Sequence, residues 1–192
     1  MSPDWAPATA LDRRGFLKLG AGSAAAFTLL GASVQLAGCS QQATPAAAGF
    51  RWLTAADLPF ARLLVAGVAG SALPADPAVA DAALEEGVRR IDICLDALGA
   101  PAQKEVRKLF DLLQWGPFRR FAGGVAKPWS EATAADMQAL LANFSASRLG
   151  LLNGAFRALA KIGSIVFWSQ PVAYPLARYP GPPAWAVAAL NA

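Results

Sequence analysis

The chain contains no histidine. That removes the side chain that most often acts as a general base, completes a nucleophile–base pair or ligates a transition metal, so catalysis by this chain alone is disfavoured. Cysteine is almost as scarce, with only Cys39 and Cys94 in 192 residues. Cys94 has no partner once Cys39 is assigned below, so no internal disulfide is expected. It lies among Ile91, Ile93 and Leu95 with no activating base close in sequence, and reads as a small buried hydrophobe. Acidic residues stop at Asp136: the last 56 residues hold none, and their charged side chains are Arg148, Arg157, Lys161 and Arg178, all positive. Strand-like alternation, hairpin signals, glycine-rich phosphate loops, CxxC and HExxH are also missing. The chain is therefore all-α by elimination as well as by pattern.

What is present begins with Asp12 to Cys39, DRRGFLKLGAGSAAAFTLLGASVQLAGC. A basic start (Arg13, Arg14, Lys18), a mildly apolar run and a small-residue cleavage site form the layout of an export signal. Arg13, Arg14, Phe16, Leu17 and Lys18 resemble the twin-arginine signal, which implies transport of proteins already folded. Leu36-Ala37-Gly38-Cys39 resembles a lipobox, in which Cys39 is lipidated and becomes the first mature residue. Residues 19 to 38 are mostly Gly, Ala and Ser, long enough to span about 30 Å of hydrocarbon but weakly apolar, which favours a removable signal over an uncleaved anchor. Either way residues 40 to 192 are expected outside the cytoplasm, on the periplasmic side, and several acyl chains would make the anchoring stable.

Three segments follow: a signal peptide at 1–38, a flexible tether at 39–50 (small, polar and unpatterned) and a helical domain at 51–192. Removing 38 residues leaves 154, one domain's worth of chain. The first 38 hold three bases and two acids, so 14 basic and 11 acidic side chains remain, a net charge of +3. That is too mild to point to nucleic acid. A hydrophobic content of 55% is high beside the roughly 45–50% of ordinary soluble chains and hints at a surface that gets covered.

Within the domain, Thr54 and Asp57 read as a capping box opening a helix over about 55–70, with Pro59 in its first turn. Asp76 and Pro77 read as N-cap and first residue of the next helix. There Leu84, Val88, Ile91, Leu95 and Leu98 mark the apolar face, while Asp81, Glu85, Arg89, Asp92 and Asp96 follow the solvated one. Glu85–Arg89 and Glu86–Arg90 are spaced as ion pairs worth about 0.3–0.5 kcal/mol each. A third helix over about 102–115 presents Ala102, Val106, Leu109, Phe110 and Leu113 on one side and ends at Gly116-Pro117. In Phe118-Arg119-Arg120-Phe121 the phenylalanines read as core anchors with the arginines pointing out, in preference to a base-stacking platform. Thr133 and Asp136 form a second capping box before an apolar side of Met137, Leu140, Leu141 and Phe144.

Leu149 to Trp168 is apolar almost all round and must be covered on most sides, as the central helix of a bundle or by a partner. A second membrane span is disfavoured, because Arg157 and Lys161 near its centre would each cost about 3 kcal/mol. Beyond it Pro171, Pro175, Pro180, Pro182 and Pro183 exclude regular helix or central strand. A stiff, extended, aromatic segment of this kind suits binding against another surface, since it loses little entropy on docking, and a tail wrapped over its own domain is the competing reading.

The mature chain resembles the gluconate 2-dehydrogenase subunit 3 family, the small hitchhiker subunits of membrane-associated FAD-dependent sugar and alcohol dehydrogenases. The carriers are the signal, Leu53-Thr54-Ala55-Ala56-Asp57, Leu73-Pro74-Ala75-Asp76, Phe144-Ser145-Ala146-Ser147-Arg148, Phe167-Trp168 and above all Arg178-Tyr179-Pro180-Gly181-Pro182-Pro183. The resemblance implies a single irregular helical bundle without a cofactor of its own. Such a subunit binds a large flavin-dependent dehydrogenase of the glucose-methanol-choline type, which holds the FAD, helps it mature and lends it the signal read by the twin-arginine translocase. The lipobox departs from the family pattern, and the alternative class is a stand-alone membrane-anchored lipoprotein that scaffolds an envelope complex or binds an apolar ligand. Expected partner-facing residues are Trp168, Tyr174, Tyr179, Pro180 and Trp185, with Arg157 and Lys161 as ion-pair donors, since aromatics and arginine dominate interface energetics.

Overall fold

The structure, a computed structural model, describes residues 44–190. Among them are seven α-helices, two short 3-10 turns and no strand, the all-α class expected. The helices are α1 Leu58–Ala69, α2 Pro77–Asp96, α3 Ala100–Gln114, α4 Gly116–Phe121, α5 Ala134–Ala146, α6 Gly150–Trp168 and α7 Ala184–Leu190. The export-signal residues Arg13, Arg14, Phe16, Leu17 and Lys18, and Cys39, lie outside the described residues.

The hub is α1. Its sequence, LPFARLLVAGVA, carries one charge in twelve residues and buries Phe60, Leu64 and Val65 with the small residues between them. On it pack α2, α5 and α6. Glycine sets the approach at each seam: a methyl added at Gly67 would lie 2.6 Å from Met137 on α5, and one at Gly163 on α6 would lie 2.7 Å from Val68. At Gly87 on α2 it would meet Val65 at 2.8 Å. Central burial thus belongs to α1, and α6 covers only one side.

Local signals set most helix starts. Asp76 accepts hydrogen bonds from the Ala78 and Val79 amides, with Pro77 in the first turn, as the spacing required. Thr133 and Asp136 close the capping box on α5, and Met137, Leu140, Leu141 and Phe144 are all buried behind it. Hydrogen bonds from the Thr133 backbone and hydroxyl hold the Asp136 carboxyl below its ordinary pKa. At α1 the geometry differs from expectation. The Thr54 hydroxyl and amide both donate to Asp57 Oδ2, at 2.7 and 2.8 Å, so residues 55–57 form a turn and the helix begins at Leu58. Asp57 thus makes the expected reach-back to the Thr54 N–H while also pairing with Arg107 on α3, but its own N–H bonds the Thr54 carbonyl instead of the hydroxyl, so the other half of the capping box does not form.

Asp92 also departs from its expected place on a solvated face. It is buried, and its oxygens accept from the backbone N–H groups of Arg51, Trp52 and Leu53, each at 2.8 Å. The carboxylate staples the chain entering α1 onto α2. Its place follows from spacing, four residues from Val88 and three from Leu95, at the margin of the apolar face. Of the expected pairs Glu86–Arg90 forms at 2.7 Å, whereas Glu85 is taken by Arg62 of α1, which also reaches Asp81.

An aromatic column fills the space between α1, α3 and the loop after α4. Trp52 and Phe60 each meet Phe110 edge-on, Phe60 stacks at a tilt on Trp129, and the Trp129 indole donates to the Leu113 carbonyl at 3.0 Å. The Phe118–Phe121 segment departs from expectation in half: Phe118 packs on the core and Arg120 is exposed as expected, but Arg119 and Phe121 are exchanged. Arg119 is buried and lies 5.3 Å over the Trp129 ring, while Phe121 is 85% exposed. In a six-residue helix, the side that carries Phe118 onto Phe144 takes Arg119 inward with it and leaves Phe121 outside. Cys94 is exposed, as is its neighbour Ile93, because Ile91 and Leu95 occupy the buried side of α2.

Candidate functional site

Before Asp136 part of the charge is paired, while Arg89, Lys104, Arg120 and Lys127 are in no ion pair among the described residues. Ion pairs among the described residues use Arg51, Arg62, Arg90, Arg107 and Lys108, and none involves a base beyond Asp136. The second half is a different surface. Helix α6 buries Leu152, Ala155, Leu159, Gly163, Val166 and Phe167 against α1, α2 and α5. Its opposite side faces outward and carries Leu151 at 64%, Ile165 at 49% and Trp168 at 42% exposure, with Arg157 and Lys161 exposed between them. At 3.6 residues per turn, Lys161 falls about 20° from Trp168 and about 40° from Ile165 around the axis, so bases and apolar residues share one strip. Neither base makes a side-chain hydrogen bond or ion pair among the described residues.

The far end of that strip is fixed in place. Glu86 orients Arg90 of α2, which donates to the Ser169 hydroxyl at 3.1 Å. Gln170 is buried and donates to the Val166 carbonyl at 3.0 Å. The proline-rich segment that follows has no α-helix before Ala184, as expected, but its first part is wound in turns, a 3-10 turn at Pro171–Ala173 and further turns to Arg178. Tyr174 holds this coil: its hydroxyl donates to the Ser169 carbonyl at 3.2 Å, its ring meets Tyr179 at 5.0 Å, and its carbonyl accepts from the Tyr179 amide at 2.9 Å. Arg178 adopts a positive φ of 51° and Gly181 one of 92° to close the turn. Proline limits helix here without enforcing extension, because the tyrosine pair supplies a local core.

The structure therefore brings Arg157, Lys161 and Trp168 together on α6. It places Tyr174, half-buried, with the exposed Tyr179 and Pro180 in the turn beyond. Trp185 stands apart on α7, 76% exposed. Leu151 and Ile165 are additions to the expected set; the spacing of Ile165 from Trp168 carried a signal, whereas Leu151 lies about 100° from Trp168 at the margin of the outward side, and the all-round apolarity of the segment hid which side faces out. A shallow surface cleft of about 410 Å³ lies elsewhere, lined by Gly49, Phe50, Arg51, Arg89, Asp92 and Ile93. The Asp92 oxygens at its floor are already engaged by the Arg51, Trp52 and Leu53 amides. Among the described residues no cluster of three or more His, Cys, Asp or Glu side chains converges on a common point. No protein-family model, curated protein or solved structure matches this chain.

Proposed function

We propose that the chain is a non-catalytic small subunit that binds a large FAD-dependent dehydrogenase of the glucose-methanol-choline type, helps it mature and carries it out of the cytoplasm through the twin-arginine route. FAD belongs to the companion. Cys39, lipidated, would tether the pair to the membrane on the periplasmic side. The observation that carries this reading is the outward strip of α6, where Trp168, Ile165 and Leu151 stand exposed around two bases that form no ion pair among the described residues. Covering such a face stabilises a complex through aromatic and arginine contacts. The lack of histidine supports it from the other side: a chain with little chemistry of its own has small reason to travel folded, whereas a cofactor-loaded companion must.

The test replaces Arg13 and Arg14 with Lys and follows flavin and dehydrogenase activity in cytoplasmic and envelope fractions. The expected outcome is that both stay in the cytoplasm together with this chain. Normal export of the flavoprotein while this chain is retained rejects the escort role.

A further inference from the structure

We infer that the surface docked on α6 is acidic: it presents carboxylates to Arg157 and Lys161 at the centre of the contact, with apolar ground on either side for Leu151, Ile165 and Trp168. This rests on the reading above, that a companion protein covers this face.

From Leu151 to Trp168 the strip runs about 25 Å at 1.5 Å per residue. A standard interface of about 800 Å² per partner is about 30 Å across, so α6 alone spans most of one. Arg157 and Lys161 fall near the middle of that length, the part of an interface from which water is most fully excluded. An ion placed there without a counter-charge is strongly unfavourable, and among the described residues no carboxylate pairs with either base. The chain's ion pairs lie among earlier residues, and no acid follows Asp136 in sequence. The carboxylates must come from the other side. The two bases are one turn apart on the same face, so the matching acids should lie within about 6 Å of each other.

A lipid surface fits less well. Helices that lie in a membrane interface keep their bases on the polar side and drive the apolar side into the acyl chains. Here Lys161 sits on the midline of the apolar strip, within about 20° of Trp168, where insertion would carry its ammonium inward with the indole.

The experiment recovers the full chain, tagged at residue 192, from its native envelope at low and raised salt. Wild type is compared with an Arg157→Glu/Lys161→Glu variant, and circular dichroism confirms the fold of both. Both bases are exposed, so folding should survive. The inference expects a flavin-bearing companion that is retained at low salt, released as salt rises, and reduced at least tenfold by the double reversal. A flavoprotein held equally well by the variant and at high salt overturns the acidic contact and leaves the escort reading standing. A companion without flavin, held with the same salt and charge dependence, overturns the escort reading and keeps the acidic contact. In a second arm, vesicles of phosphatidylglycerol and of phosphatidylcholine are sedimented with the purified protein. If no protein is retained from the envelope, the inference falls, and charge-dependent binding to phosphatidylglycerol then assigns the face to a membrane.

Discussion

Arg107 of α3 grips Asp57 at the threshold of α1 with two hydrogen bonds, Nη1 to Oδ2 at 2.8 Å and Nη2 to Oδ1 at 2.7 Å. The Asp57 side chain is 1% exposed. The guanidinium also lies 4.7 Å over the Trp52 ring, so charge and aromatic column are joined at one point. Burial pushes the Asp57 carboxyl up, but hydrogen bonds from Arg107 and Thr54 outweigh it and hold the pKa below the ordinary carboxylate value. For Arg107 burial acts downward, and the pairing with Asp57 more than reverses it.

Removing the cation while keeping its bulk, as in Arg107→Met, leaves Asp57 buried and unpaired. The expected cost is about 3–5 kcal/mol, read as a fall in the urea midpoint. The pair also sets a pH dependence. A carboxyl whose pKa is lower folded than unfolded contributes stability that is present above the unfolded value of about 3.9 and is lost as pH falls through the folded one. Thermal melts from pH 7 downward should therefore show the wild type losing stability below about pH 4. Asp57→Asn, already weakened at neutral pH, should lose less over the same range. Parallel curves for the two would contradict the assignment.

Asp92 invites a milder change. In Asp92→Asn one oxygen can still accept from Trp52 and Leu53, but an amide nitrogen then faces the Arg51 N–H, donor against donor. Losing a charge-assisted acceptor and orphaning one N–H should cost about 1.5–3 kcal/mol. Hydrogen exchange at residues 51–53 should rise more than exchange at α5, where nothing touches Asp92. Uniform loss of protection across the bundle would mean that the staple is not local.

What could be read from the sequence was what residues two to four apart decide. The Asp76–Pro77 start and the Thr133–Asp136 box depend on nothing distant, and both formed. Asp57 with Arg107 and Asp92 with Leu53 join residues 50 and 39 apart, and no local pattern announces them. Arg119 and Phe121 exchanged roles for the same reason: a short helix takes its facing from its neighbours, here Phe144 and Trp129. On α6 the spacing of Arg157, Lys161 and Trp168 was enough to place them on one side. That this side faces out, while Leu159 and Phe167 face α1 and its neighbours, depends on glycine seams such as Gly163 against Val68 that only the packed structure displays.

Cys94 gives a direct check on α2. Its thiol is exposed, whereas burial was the expectation from its apolar neighbours. In a Cys39→Ala background a maleimide reagent should modify Cys94 in the folded protein at a rate close to that in urea. Labelling only after unfolding would show that α2 is rotated from the orientation that buries Asp92.

Two glycines of α6 should respond in opposite directions to the same substitution. Alanine is better than glycine in a helix interior by about 0.8–1.0 kcal/mol. At Gly154 nothing lies within 4 Å of an added methyl, so Gly154→Ala should stabilise the isolated protein by close to that amount. At Gly163 the methyl would fall 2.7 Å from Val68 Cγ2 and 3.1 Å from its Cβ, a half-buried β-branched side chain that is stiff about its first torsion. Overpacking of this kind costs about 1–3 kcal/mol and exceeds the propensity gain, so Gly163→Ala should lower the melting temperature. Pairing it with Val68→Ala should recover part of the loss, because the closest contact is with Val68 Cγ2, which that change removes. If Gly163→Ala instead melts higher than wild type, α1 and α6 do not approach as closely as the structure has them.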